Sequence, residues 1–375
     1  MSKLNTYLQD PFLKRLYDEI RFAGPLRSIS VDLTHECNLR CKGCYFFEES
    51  MDSIHIPQEK DFDDFIKKEK SRGTNFITIV GGEPSLVIPR IKKIYDNFRT
   101  NIATNGLIRI PNKGLENLPI GISLWGKGET DSILRANGKR NLFGEALENY
   151  KNDPRAFWYY TVAPGYADEI EEVVNTCIEN GNSVLFNYYS DLAGIGGKLD
   201  FKKGFQNVKS EIDRMIDLFP DKILMTPYFN HVIADGKLFD EDWGYNVCTN
   251  LSTNCESNSE RLENGNPFNP HFRAYNADFV STRRCCTGID RSCDSCYDTW
   301  EHFSWIMVNM KKHLGSQLDF TNWLTTMYLF YYVNRMVGKK RPVIVEIQNY
   351  LRQRSYLDLM YNSKEESAKA AVEQV

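Results

Sequence analysis

Between residues 28 and about 190 the apolar positions fall in short runs that alternate with stretches of helical spacing, the pattern of repeated β-α units around a parallel sheet. Six runs predict strands: Ser28 to Leu33, Asn75 to Val80, Asn101 to Thr104, Ile120 to Leu124, Ala156 to Val162 and Ser183 to Tyr188. Ile91, Ile94, Tyr95 and Phe98 share one helical face between them, and Ile170, Val173, Val174, Cys177 and Ile178 share another. Gly73 and Gly181 stand where left-handed helix caps are expected. After residue 200 a helix around Val208 to Leu218 gives way to a cysteine- and asparagine-rich segment, Asn246 to Cys296, whose turn formers predict irregular structure. Within it, Phe272 to Tyr275, the turn Asn276-Ala277-Asp278, and Val280 to Arg284 read as a hairpin that delivers Cys286. Residues 297 to 355 read as aromatic helices. Residues 363 to 375 read as a frayed or disordered tail.

Composition narrows the class. With 375 residues, 42% of them apolar, the chain can bury a large core. A net charge of -4 provides no basic face for phosphates, so nucleic acid is not an expected partner. The opening Met1-Ser2-Lys3-Leu4-Asn5 has no signal-peptide character, and the reading is a cytoplasmic protein without a membrane partner. The apolar stretch Leu324 to Val333 is far too short to cross a bilayer; it suits a helix that closes the bottom of the barrel or pairs two subunits. Ten cysteines in a reducing compartment point to metal or redox chemistry rather than disulfides.

Three of those cysteines, Cys37, Cys41 and Cys44, follow the first predicted strand with the spacing Cys-x3-Cys-x2-Cys. Three thiolates on one short loop can hold three irons of a cubane cluster and leave the fourth open to another ligand. Gly81-Gly82-Glu83-Pro84 follows the second strand, so both motifs belong to the carboxyl rim of the sheet, where β-α folds place their sites. The competing reading of the triplet is a zinc knuckle or a structural cluster, with His35 or His55 as a fourth zinc ligand.

These two motifs, in order and at this separation, resemble the radical S-adenosylmethionine (radical SAM) family over residues 28 to 190. The resemblance implies a partial six-stranded (β/α)6 barrel, a 4Fe-4S cluster on Cys37, Cys41 and Cys44, and S-adenosyl-L-methionine chelated at the open iron. It implies that Gly81, Gly82, Glu83 and Pro84 meet the methionine amino group, that Thr104 and Asn105 end the third strand, and that Ser123 and Arg135 mark the fourth, with Arg135 toward the cofactor carboxylate. The family's aromatic residue before the third cysteine is replaced here by Gly43, leaving Tyr45 or Phe46 to pack on adenine. Trp125 stands where an acidic residue is common.

The later cysteines supply a second ligand group. Cys255, Cys286, Cys293 and Cys296 are the preferred set, with Cys248 as the substitute for Cys255, and they resemble the SPASM or twitch auxiliary-cluster extensions that follow the barrel in one radical SAM group. Four thiolates would close a second 4Fe-4S cluster and suit it to electron transfer, although structural zinc fits the same set. The expected organisation is an N-terminal helical segment at 1–27, the barrel at 28–200, the cysteine-rich region at 201–300, helices at 301–362 and the tail at 363–375.

The function implied is a radical SAM oxidoreductase that cleaves the cofactor reductively and takes hydrogen from a small molecule or short peptide, as in oxidative tailoring of a natural product. An electron donor such as flavodoxin or ferredoxin is the implied partner. Only 36 residues precede Cys37, too few for a leader-recognition domain, which favours a small substrate. The alternatives are a redox-neutral epimerase with Cys285 as hydrogen donor, and a non-catalytic iron-sulfur or zinc protein. Cys177, on an apolar helical stripe, reads as packing.

Overall fold

A computed structural model describes residues 2–41, 44–48, 59–136, 138–190, 201–264, 269–286, 293–338 and 343–354. The six strands form as read: β1 (Ser28–Asp32), β2 (Phe76–Val80), β3 (Arg99–Thr104), β4 (Ile120–Leu124), β5 (Ala156–Val162) and β6 (Ser183–Tyr188). All are parallel and each neighbours the next in chain order. Right-handed crossovers that never reverse direction put the connecting helices on one face, so the sheet curls with its other face inward as an open partial barrel.

The two faces differ in chemistry. Ile77, Ile79, Ile120, Ile122, Leu124 and Trp158 point to the helices and are fully buried. Ser30, Thr78, Ala103, Ser123, Thr161 and Asn187 alternate with them and line an interior cavity. Parallel strands covered on both faces normally read as continuous apolar runs, so polar and small residues on the inner face mark a surface that meets something other than core. Behind the sheet, Ile91 and Ile94 and the row Ile170, Val173, Val174 and Cys177 are buried as their spacing predicts, with Tyr95 and Ile178 partly so. Gly73 and Gly181 take φ of +78° and +89° after their helices.

A small ribbon, β7 (Lys237–Leu238) and β8 (Glu241–Asp242), lies beyond the helices Phe201–Leu218 and Pro227–Asp235. The cysteine-bearing hairpin forms from β9 (Ala274–Tyr275) and β10 (Thr282–Arg283), and β9 also pairs in parallel with β1. The main sheet therefore has eight strands in the order β10-β9-β1-β2-β3-β4-β5-β6, an extension of the barrel edge that local pattern did not reveal.

The helix Gln317–Val333 closes the barrel at its amino end. Phe330 packs on Phe76, the first residue of β2, and Asn101 of β3 donates to the Asn334 side chain at 2.7 Å. Tyr328 donates to Glu19 and Tyr331 to the Gly24 carbonyl, so the amphipathic N-terminal helix Pro11–Ala23 lies against the same helix. No helix among the described residues is long and apolar enough to cross a membrane. The expected tail at 363–375, and His55, lie outside the described residues.

Candidate functional site

Register places the first two motifs at one level. Asp32 pairs with Val80, so the loop carrying Cys37, Cys41 and Cys44 and the Gly81-Gly82-Glu83-Pro84 turn leave the sheet side by side. Three backbone hydrogen bonds then join them: Leu33 to Val80 at 2.9 Å, Gly82 to Thr34 at 3.0 Å and Glu83 to Glu36 at 2.7 Å, donor first. The glycines permit this approach. A Cβ on Gly82 would lie 2.0 Å from the Glu36 carbonyl oxygen, and one on Gly81, at φ +111°, would lie 2.8 Å from the Asp32 Cα.

Glu83 locks the rim. Its buried carboxylate accepts from the Ser85 amide at 2.9 Å, the Thr104 hydroxyl at 2.6 Å and the Asn105 amide at 2.8 Å, joining the β2 and β3 ends. Pro84 opens the short 3-10 turn Pro84–Val87 that Glu83 caps. The Asn105 side chain donates to Asn38 at 2.7 Å and ties β3 to the cysteine loop.

Arg135 reaches the same place from the helix Gly128–Ala136. Its guanidinium is 3% exposed, donates to the Ser123 carbonyl at 2.8 Å, pairs with Asp131 at 3.0 Å and faces the Cys41 thiol. Burial pushes the Cys41 thiol up while Arg135 opposes the shift; burial raises Cys37 to about 12. Tyr45 opens the helix Tyr45–Glu48. Phe46 is buried beneath it, and Phe47, under the Arg40 guanidinium at 3.6 Å, is the aromatic that lines the cavity. Phe46, one of the two aromatics expected to pack on adenine, is thus turned into the core, and the side chain of the other, Tyr45, lies outside the described residues.

The second thiol group gathers around a carboxylate. Asp298 caps the helix Thr299–Val308 by accepting from Trp300 and Glu301, and also accepts from the Tyr159 hydroxyl at 3.2 Å. Glu301, in the first turn of that helix, accepts from the Cys286 thiol and, at 3.5 Å, from the Cys248 thiol. Burial and the Asp298 charge push Glu301 up to about 8. Cys248, Cys286, Cys293 and Cys296 each lie within electrostatic reach of Glu301 and Cys285, and burial raises all four thiols.

Cys255 is held locally. It begins the 3-10 turn Glu256–Asn258, with its sulfur 3.0 Å from the Ser257 hydroxyl. Cys248, the substitute for Cys255 in the expected ligand set, is the upstream thiol that reaches Glu301 on the helix Thr299–Val308.

One cavity of about 360 Å³ joins the two groups. Cys37, Cys41 and Cys44 line one side, and Cys286, Asp298 and Glu301 another. Trp125, Tyr159, Tyr189 and Trp300 contribute aromatic wall between them, with Tyr159 stacked on Trp300 and Trp125 edge-on to Tyr189. Tyr160 and Tyr188 face the helices and are fully buried. Cys285 belongs to the second thiol group, yet Cys286 is the member that lines the cavity. Trp300 and Glu301 were not legible as site residues because no motif marks them. Among the described residues, no three His, Cys, Asp or Glu side chains converge as chelators of a single metal ion.

The family model for a 4Fe-4S single cluster domain matches residues 27–111. An S-adenosylmethionine-dependent nucleotide dehydratase from Lacinutrix mariniflava is 26% identical over 231 residues, which cover 57% of this chain and 45% of that one. The sporulation killing factor maturation protein SkfB of Bacillus subtilis is 25% identical over 210 residues, 51% of this chain and 48% of that one. The chain thus spans about half the length of these curated relatives. Among solved structures, native anSMEcpe with bound AdoMet and Cp18Cys peptide aligns with a TM-score of 0.48 at 17% identity, over 78% of this chain and 83% of that one. Over residues 27–111 the chain is similar to 4Fe-4S single cluster domains, and over about half its length it is similar to an S-adenosylmethionine-dependent enzyme. Those two matches name a 4Fe-4S cluster and S-adenosylmethionine.

Proposed function

We propose that this chain is a radical enzyme that oxidises a small organic molecule or short peptide held in the cavity between its two thiol groups. The observation that carries the reading is that single cavity, bordered by Cys37, Cys41 and Cys44 on one side and by Cys286 beside Glu301 on the other. The donor chemistry fits a 4Fe-4S cluster on the first side: three thiols on one loop, a guanidinium against Cys41, and no fourth cysteine in the loop. When bound, the cluster and S-adenosylmethionine supply a 5'-deoxyadenosyl radical that takes a hydrogen atom from a substrate carbon.

The chain's own residues would hold and shield that chemistry. Gly81, Gly82, Thr104, Asn105, Ser123 and Arg135 form the polar rim proposed to receive the cofactor, with Phe47 beside it. Trp125, Tyr159 and Trp300 would exclude water and hold an organic substrate by its apolar surface. Cys248, Cys286, Cys293 and Cys296 are proposed to hold an auxiliary 4Fe-4S cluster, which supplies an electron acceptor next to the substrate. That placement favours net oxidation over epimerisation, because Cys285, the proposed hydrogen donor of the alternative, is not among the cavity's lining residues. A reduced flavodoxin or ferredoxin is the proposed electron source. We retain the division into a barrel at 28–200 and an auxiliary region at 201–300, with the terminal helices as a layer beneath both.

Anaerobic reconstitution followed by dithionite and S-adenosylmethionine tests the reading. The wild-type chain is expected to release 5'-deoxyadenosine, and Cys41→Ala to release none above background. An iron-loaded wild-type chain that leaves the cofactor intact would sink the assignment.

A further inference from the structure

Each thiol group is reached from a residue at a strand end, and those two residues touch. Asp32 ends β1, five positions before Cys37, and Arg283 ends β10, two before Cys285. Their side chains form a bidentate ion pair, Nη1 to Oδ2 at 2.7 Å and Nη2 to Oδ1 at 2.9 Å, and both are fully buried. The same guanidinium donates to the Tyr275 carbonyl at 2.9 Å, the Asn276 side chain at 3.3 Å and the Cys286 carbonyl at 3.3 Å. One side chain therefore grips the end of β1, the turn side of the hairpin and the backbone of an auxiliary cysteine.

The hairpin is also held from the side, by the Tyr275 hydroxyl on Glu69 at 2.6 Å and by Phe279 against Phe62 and Phe65 of the helix Glu59–Ser71, but its direct pairing with β1 is short. The parallel pairing is two residues long, Ser30 with Ala274 and Val31 with Tyr275, with a 3.0 Å bond from the Ser30 amide to the Arg273 carbonyl. So short a ladder specifies register weakly, and a slip of one residue would turn every side chain to the opposite face. A planar guanidinium fork accepts one carboxylate orientation, so the ion pair supplies the geometric constraint that the ladder lacks. A buried ion pair is poor evidence of stabilisation as such, and its best-attested role is to select one arrangement among several.

Resting on the two-cluster reading above, we propose that Arg283, held by Asp32, is a positioning residue that sets the separation of the two thiol groups across the cavity. The test uses the full-length chain, anaerobically reconstituted and reduced, and compares wild type, Arg283→Lys, Arg283→Met and the neutral double variant Asp32→Asn/Arg283→Met. Electron paramagnetic resonance reads the magnetic interaction between the two reduced clusters, and hydrogen exchange reads the 272–283 amides. Arg283→Met is expected to retain about eight irons, to show altered inter-cluster coupling, and to exchange at least about tenfold faster in the hairpin. Arg283→Lys, which keeps the charge without the fork, should fall between. If Arg283→Met does not fold, the double variant, which leaves no buried charge unpaired, decides. Wild-type coupling and exchange in a fully loaded Arg283→Met or double variant would overturn the proposal. A wild-type chain that binds only about four irons would instead overturn the two-cluster reading on which it rests.

Discussion

Cys37, Cys41 and Cys44 hang from a loop that three backbone hydrogen bonds pin to the end of β2, whereas Cys248, Cys286, Cys293 and Cys296 come from separate irregular segments gathered around Glu301. The first arrangement is local: eight residues, one loop and two glycines specify it. The second is tertiary, because its members span 48 positions between Cys248 and Cys296 and are brought together by the hairpin, the Leu251–Cys285 bridge, the helix Thr299–Val308 and the Asp32–Arg283 pair. A site written into one loop should fail through backbone geometry. A site assembled from distant segments should fail through its side-chain supports.

The largest separation between the two should come from Gly82→Ala. A Cβ there meets a backbone carbonyl, which cannot rotate aside, so the first loop must shift. Iron content should fall by about half, 5'-deoxyadenosine release should cease, and the second group should keep its iron; full loading and activity in this variant would break the account of the glycines. Next is Arg135→Met, which leaves Asp131 buried without its partner and should cost about 3–5 kcal/mol in urea unfolding. A much smaller loss would mean that water and the Trp125 amide, which donates to Asp131 at 2.8 Å, suffice to hold that carboxylate.

Cys248→Ala and Cys255→Ala sharpen the comparison from the other side. Loss of about four irons is expected for Cys248→Ala, with none lost from Cys255→Ala. The reverse result would favour the set with Cys255. The smallest effect belongs to Cys177→Ala: a buried sulfur on the apolar face of the helix Ile170–Glu179 is lost, costing about 1–2 kcal/mol of stability with iron content unchanged.

Six strands and their order were legible because alternation and run length report burial on parallel strands, and Cys37, Cys41, Cys44 and Glu83 were legible because their neighbours in space are near neighbours in sequence or lie in a second compact motif. The β1–β9 pairing was not, since two residues of ladder leave no periodic trace. Glu301 and Trp300 were missed for a related reason: they read as part of an aromatic helix, and only the packing of that helix against β5 and β6 turns them to the cavity. Phe47 was missed as a cavity residue because the short helix Tyr45–Glu48 alone decides that Phe46 turns into the core and Phe47 to the cavity. One signal was available and informative: polar and small residues alternating along otherwise apolar parallel strands, from Ser30 through Asn187, which mark an inner face reserved for a ligand.

The central claim is that two independent thiol groups border one cavity, and iron and sulfide counting on the triple variant Cys37→Ala/Cys41→Ala/Cys44→Ala measures it most directly. About eight irons in the wild-type chain and about four in the variant are the predicted result. An iron-free variant, or a wild-type chain that takes up no more than about four, would contradict it.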